Sequence, residues 1–112
     1  MPAADDLAVH HNPEAQRFEA RIAGRISVAD YQMVGRTMWL THTAVPPAQR
    51  GMGIAQALVA AALAHARSEG LRVRPACSYV RAYLRRHPEQ ADLVATGEDG
   101  DDGADSTDID DD

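Results

Sequence analysis

Between an alternating run that stops at Pro46-Pro47 and an alanine-rich stretch that starts at Ile54 lies the segment Gln49-Arg50-Gly51-Met52-Gly53-Ile54-Ala55. Its two glycines let the backbone turn sharply and come close to a ligand, and the first N–H groups of a following helix have no intrahelical acceptor. With the helix dipole behind them, such groups form a cradle for an anion, and a diphosphate is the natural guest. Two common phosphate motifs can be tested against the same letters. A dinucleotide G-x-G-x-x-G would begin at Gly51, but its sixth position is Gln56 and no acid stands about 20 residues on at the end of a following strand. The chain contains no lysine, which excludes the G-x-x-x-x-G-K-[ST] loop.

Other side chains offer nucleophilic or proton-transfer chemistry. Cys77 is the only cysteine and directly precedes a candidate helix, whose N-terminus lowers a thiol pKa. It can equally serve as a small buried hydrophobe. His42 can take up a proton near neutral pH, yet it falls in an alternating run beside Met38 and Leu40, where a histidine can simply be packed and hydrogen-bonded. Tyr79 and Tyr83 stand four residues apart and so share one helix face. Arg81, Arg85 and Arg86 cluster nearby and can bind a phosphate or merely solvate the helix. His10 and His11 are adjacent while His65 and His87 stand apart, so no metal-ligand spacing is present and no metal is expected.

The elements that must position these groups can be read from periodicity. Arg17 to Ile22 alternates strictly, with Phe18, Ala20 and Ile22 on one side. After a turn at Gly24, Ile26 and Val28 oppose Arg25 and Ser27, which predicts an antiparallel hairpin. A third strand, from about Thr37 to Val45, sets Met38, Leu40, His42 and Ala44 against Trp39, Thr41, Thr43 and Val45. Leu7 to His11 is a candidate edge strand. Ile54 to Ser68 has helical spacing and ends at Gly70, Leu71 to Val73 reads as a short strand closed by Pro75, and Ser78 to Arg86 reads as a second helix ended by His87-Pro88.

Length and charge narrow the function classes. With 112 residues and 45% hydrophobic content the chain supports one compact α/β domain and no second one. The formal charge of −6 is unevenly divided: Glu98 to Asp112 holds nine carboxylates and no base, leaving eleven arginines against eight acids before it, near +3. Residues 1–97 therefore read as the domain, and 98–112 as a disordered acidic tail with too few apolar groups to fold. That tail can act as an electrostatic lure, an occupant of the protein's own arginine-lined surface, or a solubilising appendage. A single cysteine, no leader pattern and no apolar run of about 20 residues together imply a cytoplasmic protein without a membrane partner. A mildly basic domain with few aromatics and an acidic tail does not suggest nucleic-acid binding.

Arg50-x-x-Gly53-x-Ala55 resembles the R/Q-x-x-G-x-G/A signature of the GCN5-related N-acetyltransferases, in the strand-loop-helix setting that family uses. The stretches Leu40 to Pro46, Arg50 to Ala55, Pro75 to Val80 and Arg86 to Glu89 closely resemble its small "minimal" branch, and the likeness runs from about Arg17 to Val94. The resemblance implies a truncated version of that fold, with a mixed, mostly antiparallel twisted sheet flanked by helices, and transfer of acetyl from acetyl-CoA to an amine. It implies that Thr43, Ala44 and Val45 engage the pantetheine arm and that Arg50, Gly51, Gly53 and Ala55 contact the diphosphate. It also implies His42 as general base, Cys77 as an acetyl-accepting or pocket-lining residue, and Tyr83 as the group at the CoA sulfur, with Tyr79 its possible substitute. A full domain would continue from Tyr83 through a Gly-Phe pair into further strands, whereas His87-Pro88 stands here. Those strands commonly shape the acceptor site, so the acceptor is left open; the charge pattern allows a cationic amine such as a lysine side chain, an N-terminus or a polyamine. The alternative is an acyl-CoA-binding or interaction module without catalysis.

Overall fold

The computed structural model describes residues 8–95. The edge strand β1 (His10–Asn12) is followed by β2 (Arg17–Ile22), β3 (Arg25–Val34) and β4 (Thr37–Ala44). Helix α1 (Ile54–Glu69), strand β5 (Arg72–Pro75) and helix α2 (Ser78–Arg86) complete the domain, with 3₁₀ turns at Pro47–Gln49 and Pro88–Leu93. The five strands form one sheet in chain order. All neighbours are antiparallel except β4 and β5, which α1 joins by a parallel crossover. This is the mixed, mostly antiparallel sheet that the alternation of the first half and the helical spacing of the second predict. Leu7 and the acidic stretch 98–112 lie outside the described residues.

The core forms where the inner sheet face meets α1 and α2. Phe18 and Ala20 from β2, Met38 and Leu40 from β4 and Val73 from β5 pack with Leu58, Val59, Ala62, Leu63 and Ala66 of α1 and with Val80 and Tyr83 of α2. The inner face of β3 is set by its pairing with β2 and not by its most apolar residues. Ala23 and Gly24, with φ of 52° and 77°, form a two-residue turn, which makes Ile22 face Arg25 and Ala20 face Ser27. Residues paired across a ladder share a face, so Ser27 and Ala29 turn inward at 1% exposure each while Ile26 is 37% exposed. Small side chains there leave room for α1 to approach the sheet.

A departure from the sequence-based expectation lies in β4. Asp30 pairs with His42 but Tyr31 pairs with Leu40, so Thr41 is the extra residue of a β-bulge, its hydroxyl donating to the Asp30 carbonyl at 3.3 Å. The extra residue reverses the alternation beyond it. His42 therefore leaves the face of Met38 and Leu40 and stands opposite Asp30, whereas Thr43 joins the face of buried Ala29. Pairing of β4 with β5 ends at Leu40–Pro75, since proline offers no N–H and the chain turns away. The Leu40 carbonyl accepts from both Ala76 and Cys77 N–H at 3.0 Å. Beyond that point β4 runs on without a partner on its β5 side among the described residues. Val94 makes a single parallel bridge to Val73 on the far edge of β5. No described helix is long and apolar enough to cross a membrane.

Candidate active site

Where β4 outruns β5 a groove of about 690 Å³ opens. One wall is the end of β4, His42, Thr43, Ala44 and Val45; the floor is the loop and first turn of α1, from Gln49 to Gln56; Tyr79 of α2 faces them. All seven residues singled out for a CoA cofactor (Thr43, Ala44, Val45, Arg50, Gly51, Gly53 and Ala55) line it, together with His42. Among the described lining residues none carries a carboxylate.

The loop owes its shape to local sequence. Pro46 and Pro47 stop the strand, and the Gln49 N–H donates to the Pro46 carbonyl at 2.8 Å to close the 3₁₀ turn. Gly51 (φ +85°) and Gly53 (φ +79°) then take left-handed conformations that L-residues adopt only under strain. Gly53 is the N-cap of α1, no side chain caps the helix, and its first turn holds no acid. The outward N–H groups there are the donors of an anion site. A Cβ added at Gly51 would meet no heavy atom within 4 Å, so the space above the loop is open. Arg50 is exposed, and its Nε donates to the Val45 carbonyl at 3.3 Å, which bends the side chain back over the strand end. Donors, open space and a missing carboxylate together fit a diphosphate.

The remaining candidates divide. Cys77 is the N-cap of α2 and is half-buried; it does not line the groove, but its Sγ lies 3.6 Å from Thr43 Oγ1, and Thr43 does. Tyr79 lines the groove, and burial, ahead of the partly opposing effect of Arg86, pushes its phenol above the ordinary value. Tyr83, which the resemblance put at the sulfur, is instead 5% exposed in the core and stacks on His87 with centroids 4.1 Å apart. Burial also raises its pKa, with Glu89 adding to the effect. Arg81 donates to the Pro75 carbonyl at 3.1 Å, and Arg81, Arg85 and Arg86 lie outside the lining. Sequence reasoning passed over Gln49 as a site residue. It is 6% exposed and forms part of the groove wall. No local signal marks it, because its burial comes from a contact with Ile22.

Comparison with known proteins agrees with this geometry. A family model described as GCN5-related N-acetyl-transferase matches residues 17–93. The chain belongs to that family. It is 34% identical over 91 residues to protein NATD1 of Xenopus tropicalis, covering 79% of this chain and 84% of the relative. With protein NATD1 of Homo sapiens it shares 36% over 85 residues, 73% and 75% of the two chains. Its fold matches the NMR solution structure of a GCN5-like protein from Staphylococcus aureus at a TM-score of 0.59 and 19% identity, over 80% of this chain and 88% of that one. The matched span of the family model runs from the start of β2 through the last 3₁₀ turn, and so includes every wall of the groove.

Proposed function

We propose that the chain is an acetyl-CoA-dependent N-acetyltransferase acting on an amine. The observation that carries this reading is the carboxylate-free groove between the unpaired end of β4 and the uncapped N-terminus of α1. Bound there, acetyl-CoA would supply a thioester whose acyl carbon an amine can attack.

The chain's own groups account for the rest. Backbone N–H groups from Gly51 to Gln56 hold the diphosphate, and the free edge of β4 at Thr43–Val45 offers the hydrogen bonds that orient the pantetheine amides. His42, exposed on the groove wall, accepts the proton that the amine loses as the C–N bond forms. Tyr79 holds its proton at neutral pH, as any phenol whose pKa burial pushes up from an already high ordinary value must, and can donate it to the sulfur as the C–S bond breaks. Thr43 borders the acyl end, and Cys77 stands next to it with its Sγ 3.6 Å from the Thr43 hydroxyl. Cys77 either lines it or takes the acetyl group first, releasing its own proton, and passes it to the amine.

Calorimetric titration with acetyl-CoA tests the reading, with Gly53→Glu as control, since that change places a side chain and a negative charge in the cradle. Saturable binding lost in the control, followed by turnover with an amine panel, supports the enzyme. Binding without turnover on any amine leaves an acyl-CoA-binding module, and no binding in the parent chain overturns the proposal.

A further inference from the structure

Gln49 is the only side chain of the 46–53 loop that is withdrawn from solvent while carrying a full amide. Its Nε2 donates to the Ile22 carbonyl at 2.8 Å, reaching 27 residues back to the end of β2 where the Ala23-Gly24 turn begins. Its Oε1 is buried and has no partner among the described residues. An amide half-satisfied in this way is a poor choice for stability alone, because a methionine or leucine would fill the same space without an unpaired acceptor. Its position explains the choice. The next residues are Arg50, Gly51 and Gly53, and the two glycines leave the backbone little stiffness of its own. A side chain bonded to the rigid hairpin fixes the one end of this segment that the helix does not.

We infer that Gln49 is a positioning residue: its amide is a strut that ties the diphosphate-binding loop to the β2–β3 hairpin and so holds the N–H groups of residues 51–54 in the orientation an anion needs. It touches neither the acyl group nor the proton donors. The inference rests on the acetyl-CoA reading of the groove. It extends that reading to a residue outside the R-x-x-G-x-A signature.

Gln49→Met keeps volume and apolar packing and removes the donor. Gln49→Glu keeps an acceptor and, while ionised, also lacks the donor; its carboxyl regains one when protonated. In the ligand-free protein, NMR order parameters of the amides at 51–54 are expected to fall in Gln49→Met while those of α1 from Leu58 onward keep their values. Calorimetry should show acetyl-CoA bound about 5- to 10-fold more weakly, the size of one neutral hydrogen bond. Turnover at saturating acetyl-CoA should be unchanged. Gln49→Glu should bind more weakly than Gln49→Met at neutral pH and recover as its carboxyl protonates. Unchanged order parameters at 51–54, or a Kd within twofold of the parent, overturns the strut. A lower melting temperature with both of those unchanged assigns Gln49 to stability only and overturns it too. The order-parameter arm needs no cofactor, so lowered values in Gln49→Met, when the parent chain does not bind acetyl-CoA, would keep the strut and refute the acetyl-CoA reading alone.

Discussion

Replacing Gly51 and Gly24 by alanine, one at a time, separates what the left-handed backbone does for binding from what it does for folding. Both glycines have strongly positive φ, +85° and +77°, and at both an added Cβ would meet nothing within 4 Å. Steric crowding is therefore absent, and the cost is that of an L-residue in the left-handed region, about 1–2 kcal/mol. At Gly24 the turn is locked by the Ile22–Arg25 pair and has the same shape with or without a ligand. The whole cost should appear as lost stability, roughly 4–8 °C in Tm for each kcal/mol in a domain of this size. At Gly51 the loop is exposed and can relax when empty. Whatever strain it sheds must be restored on binding, so the losses in stability and in affinity together should come to about 1–2 kcal/mol. If relaxation is complete, acetyl-CoA binds about 5- to 30-fold more weakly with little change in Tm. Chemical denaturation and calorimetric titration of the two variants provide both quantities. The reasoning fails if Gly51→Ala leaves Tm and Kd alike unaltered, or if Gly24→Ala weakens binding as much as Gly51→Ala does.

Tyr79→Phe should lower turnover by about 10²-fold or more with little change in Kd, whereas Tyr83→Phe should stay within a few-fold of the parent; steady-state rates on one responsive amine decide, and the reverse ranking would return the proton to Tyr83. His11 lies against Phe18, Tyr31 and His65, its Nε2 2.6 Å from the Tyr31 hydroxyl, and burial, then repulsion from His65 and His10, holds its pKa below the ordinary 6.5. The unfolded chain then binds more protons than the folded one between the two pKa values. Its contribution to stability is complete above about 6.5 and is lost as pH falls toward the lowered value. Urea midpoints across this range should fall on acidification, and His11→Phe should flatten that part of the slope. Met38 is fully buried, and Met38→Ala should cost about 2–5 kcal/mol in denaturation experiments.

Much of this was legible along the chain because it is written locally. The strands from Arg17 and Thr37, the helix from Ile54 and the helix Ser78–Arg86 announce themselves through spacing and through Pro46, Gly70, Pro75 and Pro88. Most groove residues fall in two short stretches on either side of Pro46-Pro47, where the family resemblance singled them out, while Tyr79 comes from α2. What was not legible depends on registers and contacts that have no local mark. Alternation around Ile26 and Val28 is satisfied by either face, and only the two-residue turn at Ala23-Gly24, acting through pairing with β2, turns Ser27 and Ala29 inward. Helical spacing puts Tyr79 and Tyr83 on one face and cannot rank them by distance from β4. The burial of Gln49 requires Ile22.

The bulge at Thr41 matters most for chemistry, and no glycine or proline flags it. Read as an uninterrupted strand, residues 38–45 put His42 among core side chains and Thr43 outside, an arrangement with no base on the groove and nothing beside the thiol. One inserted residue exchanges the two positions. His42 reaches the groove wall, Thr43 comes to 3.6 Å from Cys77, and β4 continues past the last β5 pair with one edge free. A single irregularity in one strand thus brings the groove its base and its contact with the cysteine, while Pro75 ends the pairing that would cover its edge. Deleting Thr41 removes the bulge and lets His42 follow Leu40 directly, so the simple alternation of the shortened strand still sets His42 opposite Asp30 and Thr43 on the Ala29 face beside Cys77. Such a chain should keep acetyl-CoA binding, as should Thr41→Val, which keeps the residue count and removes only the hydroxyl that donates to the Asp30 carbonyl. Calorimetric titration of both variants decides: binding lost in both would mean that the hydroxyl shapes the site, and binding lost in the deletion alone would refute the view that pairing with Asp30 and Ala29 sets the two faces.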